Sequence, residues 1–327
     1  MFASFYGLKE QPFGVTPDPR YLYLGAGHRE ALASLYYGIE SNLGFMALVA
    51  KPGMGKTTLL FHLLSKLRNT ARTAFVFQTQ CSSREFMRFL LAELGHETYD
   101  QDFVRMHEEF NKCLLQEARA GRRFIVVVDE AQNLDASVLE TVRLLSDFET
   151  PKAKLLQIIL AGQPELGHKL ASPGLSQLRQ RISLVNTLGP LNAEETGLLI
   201  DHRLRVAGYV GPSLFTREAK YMIADLSGGI PRLINNFCFN ALSLGLAMRQ
   251  RSIDSAIIRE TAKDLDIDRM LEEMSPAPFA VAAGISGDGF REPAKAPEAP
   301  TPAAARQYMR QVVAKLHRGT GERSGAE

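Results

Sequence analysis

Apolar residues fall into two rhythms along this chain. Short solid runs at Phe45–Ala50, Phe124–Val128 and Leu155–Gly162 lack polar alternation, so each predicts a strand buried on both faces of a parallel sheet. Thr73–Gln78 and Ser183–Leu188 are β-rich and read as further strands. Between them the spacing becomes helical, over Ala26–Ser41 (Leu32, Leu35, Tyr36 and Ile39 on one face), Lys56 to about Leu67, Ser82–Leu94 and Phe103–Arg119. After Pro190 only helical spacing remains, in Asn192–Val206, Thr216–Leu226, Pro231–Met248 and Ile253–Ile267. Asn192 followed by Glu195 is a capping box, and Pro231 sits where a first-turn proline belongs. The expected organisation is α/β: a three-layer core around a parallel sheet with an N-terminal arm over residues 1–190, then a small all-helical domain over 191–270. Residues 271–327 form a Pro/Ala-rich linker ending in a short amphipathic segment, Arg306–Arg318, striped by Met309, Val312, Val313 and Leu316. Such a stripe suits docking in a partner's groove or lying on an anionic membrane surface, or is a chance pattern in a disordered end. The arm, rich in aromatics and turn-formers, is expected to lie over the main domain, either as one wall of a purine pocket or as plain packing.

The junction of the first strand and its helix carries the chemistry. Ala50-Lys51-Pro52-Gly53-Met54-Gly55-Lys56-Thr57-Thr58 has the strand–loop–helix setting of a phosphate-binding P-loop. Gly53 and Gly55 allow successive N–H groups to converge on an anion, and the helix N-terminus adds partial positive charge. Lys56 would reach the β- and γ-phosphates, Thr57 would place its hydroxyl on Mg²⁺, and Thr58 would add a contact beside the α-phosphate. Ala50 stands where the usual pattern has its first glycine, but it ends a strand, where a small residue fits. The strand at Phe124–Val128 runs into Asp129 and Glu130, at the carboxyl edge where open α/β sheets place their sites. Asp129 is the candidate Mg²⁺ ligand, and Glu130 the group that orients and polarises an attacking water. Gln163, ending the next buried run, either contacts the γ-phosphate or the attacking water, or caps a helix. Arg179 and Arg181 precede an edge strand, as an arginine reaching a neighbouring subunit would, or simply form a solvated helix end. The fold class this implies is a P-loop NTPase using ATP and Mg²⁺.

Composition narrows the picture. The chain has 327 residues, 45% hydrophobic and 23% charged, with a net charge of +2, which does not favour nucleic acid as the default partner. Its apolar runs are too short to cross a bilayer and its start lacks a signal-peptide pattern, so a cytoplasmic setting is expected. Cys81, Cys113 and Cys238 are scattered without metal-ligand spacing and read as reduced structural thiols.

The order of P-loop, Asp129-Glu130, Gln163, Arg179/Arg181 and Gly229-Ile230-Pro231-Arg232 resembles the AAA+ ATPases. Three strings sharpen the likeness: Tyr6–Tyr23, with Tyr-Gly-Leu, Pro-Phe, Thr-Pro-Asp-Pro and Leu-Tyr; Asp129–Leu134; and Leu160–Leu166. Together they are similar to the general secretion pathway protein A, or ExeA-like, ATPases over about Met1–Ile267. The resemblance implies Lys56 and Thr57 as Walker A, Asp129 and Glu130 as Walker B, Gln163 as sensor 1, and Arg232 as sensor 2 on a helical lid. It implies Arg181 as the arginine finger, with Arg179 as second choice. Secretion-pathway members continue into a transmembrane helix and a peptidoglycan-binding domain, and neither is read here. The expected activity is ATP hydrolysis in a self-assembled ring or filament, whose nucleotide state controls a partner complex in envelope secretion or polysaccharide export. The alternatives are an ATP-dependent, DNA-binding transposition regulator and a non-hydrolysing nucleotide-dependent scaffold.

Overall fold

The computed structural model describes residues 2–14, 16–96, 102–150 and 153–265. The linker and the amphipathic segment Arg306–Arg318 lie outside these residues. Five strands form one sheet: β1 (Phe45–Ala50), β2 (Ala71–Val76), β3 (Arg123–Val128), β6 (Leu156–Gly162) and β7 (Ile182–Leu188), in the order β2-β3-β6-β1-β7. All four pairings are parallel. Two two-residue strands, β4 (Glu149–Thr150) and β5 (Ala153–Lys154), make a separate hairpin.

Side chains alternate between the two faces of the sheet, so each solid apolar run feeds two cores. Phe124, Val126 and Val128 face one core with Ile158 and Leu160. Helices α4 (Ser83–Glu93), α5 (Phe103–Arg119), α6 (Ala136–Leu145), α7 (Pro164–Ala171) and α8 (Ser176–Arg181) supply residues to that core. Ile125 and Val127 face the other core with Met46, Leu48 and Ile159, under α2 (Ala26–Glu40) and α3 (Lys56–Leu67).

Helix α6 is the element that the sequence pattern left unread. Val138, Leu139, Val142 and Leu145 keep helical spacing and are buried, but the helix is only ten residues long, and the Asp135 side chain makes no cap hydrogen bond. Strand β2 begins two residues earlier than Thr73, because Ala71 pairs with Arg123 at the start of β3.

The helical part comprises α9 (Ala193–Val206), α10 (Arg217–Ser227), α11 (Pro231–Ala247) and α12 (Ser255–Leu265). Asn192 caps α9 with the reciprocal Glu195 bond in place. The N-terminal arm, with the short helix α1 (Phe2–Tyr6), was expected over the α/β part. Most of its apolar residues instead enter the helical core, where Phe2, Tyr6, Leu8, Phe13 and Tyr21 cluster with Leu199, Ile223, Ile234 and Cys238, while Leu22 and Leu24 pack against the α/β core. The sheet's faces are already covered by helices, whereas the small bundle lacks apolar volume and takes the arm's aromatic rings as its own. Backbone amides donate hydrogen bonds between bundle and core. Ala26 N, opening α2, donates to Glu195 Oε1 at 2.7 Å, and Arg232 N, in the first turn of α11, donates to Gly53 O at 3.1 Å.

Candidate active site

Strand β1 stops at Ala50, which is buried, and the chain turns through Gly53 (φ 79°) and Gly55 (φ 86°) before α3 opens. Both angles are in the left-handed region that side chains avoid. At Gly53 an added Cβ would stand 2.7 Å from Arg232 Cβ, so the glycine also allows α11 to approach. His28, 3% exposed, braces the loop with its Nε2 2.9 Å from Met54 O. Lys56 is 5% exposed, and its ammonium donates to Ala50 O at 3.1 Å. An ammonium carries three donors, so this arrangement leaves it hydrogen-bonding capacity for an anion.

Strand order explains what meets this loop. Strand β6 lies between β1 and β3, which places Gln163, at its end, between the P-loop and the two acids. Asp129 is 3% exposed; its Oδ2 accepts from Thr57 Oγ1 at 2.5 Å and its Oδ1 from Glu130 N at 3.0 Å. Burial pushes the Asp129 carboxyl above its ordinary range, only partly offset by these bonds and by Lys56. Glu130 has a positive φ of 53°, an uncommon conformation for a side-chain-bearing residue. Its Oε2 accepts from Gln132 Nε2 at 2.6 Å and from Gln163 Nε2 at 3.1 Å. Burial alone would raise the Glu130 carboxyl, but the two amides and the Lys56 charge outweigh it and hold it below its ordinary range. Glu130 is therefore ionised at neutral pH.

A cavity of about 310 Å³ extends from this cluster. One wall is the arm, with Tyr21, Leu22 and Tyr23; the other is the helical part, with Leu199 and Arg203 of α9 and Arg232 and Asn235 of α11. The arm thus lines the cavity, although most of its apolar residues are anchored in the bundle. Pro52 through Thr58, Glu130 and Gln163 line the phosphate-side end, whereas Asp129 reaches the cavity through Thr57.

Three lining groups had no signal in the sequence. Arg203 donates to Pro12 O at 2.7 Å and stacks on Tyr21 at 4.9 Å. Burial pulls its guanidinium down to about 10. Asn235 keeps a buried amide oxygen without a hydrogen-bond partner, and His28 serves only as a brace. Gln132 stands within Asp129–Leu134, but nothing in its type or spacing marks it.

These groups fit a nucleoside triphosphate: a glycine cradle, a buried ammonium with spare donors, and an apolar and aromatic far end. The Thr57–Asp129 pair fits Mg²⁺, because a hard cation takes oxygen ligands and would supply the positive charge that a buried carboxylate lacks. When bound, the ion would neutralise charge on the phosphates.

The two arginines lie elsewhere. Arg181 donates to Ser146 Oγ at 2.7 Å and pairs with Asp147; Arg179 is exposed and donates to Ala171 O at 3.1 Å. Neither lines the cavity.

Residues 39–170 match the family model described as an AAA domain. The chain is 40% identical over 255 residues to General secretion pathway protein A of Aeromonas hydrophila, covering 77% of this chain and 46% of that protein. It is 29% identical over 171 residues to an uncharacterized HTH-type transcriptional regulator of Methanocaldococcus jannaschii, covering 50% of this chain and 41% of that one. The chain therefore spans less than half the length of the curated relatives it matches. Among solved structures, the Aeropyrum pernix ORC2 protein in ADPNP-ADP complexes gives a TM-score of 0.62 at 16% identity, covering 78% of this chain and 72% of that one. Drosophila ORC bound to DNA gives 0.62 at 16%, covering 85% and 69%. At such identity the likeness is one of fold.

Proposed function

We propose that this chain, whose residues 39–170 match the AAA domain, binds and hydrolyses ATP, its nucleotide state controlling a partner complex in envelope secretion or polysaccharide export. The observation that carries hydrolysis is the Glu130 carboxylate, held by the Gln132 and Gln163 amides beside a P-loop whose lysine is buried and has donors to spare. A scaffold that only binds nucleotide has no need of such a base. In this reading Lys56 and the loop amides hold the phosphates, and Thr57 and Asp129 hold the metal. Glu130 takes the proton of a water as it attacks the γ-phosphate, with Gln163 beside it. Arg232 enters from α11, so the helical part acts as a lid that responds to the phosphate end. What supports secretion machinery as the partner is the likeness to General secretion pathway protein A of Aeromonas hydrophila. Among the described residues no helix is long and apolar enough to cross a membrane.

The test is Glu130→Gln, which preserves shape and removes the base. ATP affinity should stay within about twofold of the parent while turnover falls by at least ~10²-fold, as loss of general-base catalysis does. A variant hydrolysing at the parent rate would remove Glu130 from the role.

A further inference from the structure

The turn after Glu130 carries more organisation than a strand end needs. Gln132 Nε2 donates to Glu130 Oε2 at 2.6 Å, while Gln132 Oε1 accepts from the Gln163 backbone N–H at 3.1 Å. The Gln163 side chain returns to the same Glu130 Oε2 at 3.1 Å. One carboxamide thus bridges the ends of two neighbouring strands, β3 and β6, closing a ring of three hydrogen bonds.

The surroundings are shaped for that bridge. Gly162, the last residue of β6, leaves its space to the amide: a Cβ there would lie 2.7 Å from Gln132 Oε1. Lys169, reaching in from α7, donates to Gln132 O at 2.5 Å and Leu134 O at 2.8 Å, which pins the Ala131–Asn133 turn. Two consecutive elements later in the chain, β6 and α7, therefore hold Gln132. The result is a Glu130 whose Oε2 is occupied by two donors, leaving Oε1 for the water.

We propose that Gln132 is a positioning residue for hydrolysis: its carboxamide locks the Glu130 carboxylate and the Gln163 turn into one unit. It acts through Glu130 and needs no contact with nucleotide. A carboxylate free to rotate about its side-chain torsions spends little time aligned with a water, and misalignment of about an ångström at a catalytic group costs on the order of 10²-fold. This inference rests on the reading of Glu130 as the base.

The experiment compares Gln132→Ala and Gln132→Glu in the full chain, measuring turnover, KM, affinity for a fluorescent ATP analogue and melting temperature. Gln132→Glu keeps the shape and the acceptor for Gln163 N–H, but replaces the donor to Glu130 by an oxygen. Both variants should lose about 10- to 100-fold in kcat with analogue affinity within about twofold of the parent. In a Glu130→Gln background, Gln132→Ala should change residual turnover no further, because the group it positions is gone. Parent-like or raised kcat in Gln132→Glu overturns the proposal, as does an effect confined to KM. If Gln132→Ala melts lower, the shape-preserving glutamate variant decides. Parent-like Gln132 variants alongside an inactive Glu130→Gln would sink this proposal and leave the ATPase reading standing. A parent whose turnover does not depend on Glu130 would sink both.

Discussion

At the scale of single residues, the site is a set of polar groups whose environments set their roles. Asp129 and Glu130 are adjacent carboxylates that diverge because burial dominates for Asp129, whereas two amides and Lys56 dominate for Glu130. Lys56 is the main buried positive charge in this arrangement, so its removal should act on binding itself. Lys56→Ala should weaken ATP binding by about 10- to 100-fold, the range expected for loss of a charge-assisted bond of roughly 1.5–3 kcal/mol. Isothermal titration of the full chain measures this directly, and an unchanged dissociation constant would show that the loop amides alone carry the phosphates.

At the scale of elements, α9 is both a helix and a tether. Its Glu195 completes the capping box through Oε2 to Asn192 N at 3.1 Å, and reaches α2 through Oε1 to Ala26 N at 2.7 Å. The bond from Ala26 is the main reason that its carboxyl lies below the ordinary range. A depressed folded-state pKa means that the tether's contribution is present above the unfolded value, roughly 4.3, and is lost as pH falls through the folded value. Urea midpoints of the parent and of Glu195→Gln should therefore differ near pH 7 and converge once pH has fallen below the depressed folded value. A gap that stays constant with pH would mean that shape rather than charge holds α9 to α2.

At the scale of the molecule, the question is what completes the site from outside. Arg181 is paired with Asp147 and Ser146, so acting on a neighbouring copy would require it to leave those partners. Arg179, exposed and held by one carbonyl, is the less encumbered of the two. If either serves a neighbour, its alanine variant should bind ATP normally and lose about 10³-fold or more in turnover. Mixing that variant with Lys56→Ala should then partly restore activity, because each copy supplies what the other lacks. Two folded, co-assembling variants that show no recovery at any ratio would argue against catalysis between copies.

Much of this protein is written locally. The solid runs of β1, β3 and β6, the glycine turn before Lys56, the carboxylates ending β3 and the Asn192–Glu195 capping box are all contiguous patterns. Each depends on backbone geometry or on burial of one short segment, so sequence alone determined them. It did not determine α6, too short and weakly capped to stand out, nor the allegiance of the arm, whose aromatic rings fit either core by type. Tertiary structure decided the rest, because the groups involved meet only when distant segments are brought together. Gln132 gains its function from Gly162, Gln163 and Lys169, and Arg203 gains its place from Pro12 and Tyr21. A hydrogen bond needs its partner within about 3 Å. Spacing along the chain cannot report that distance once strand order has placed β6 between β1 and β3.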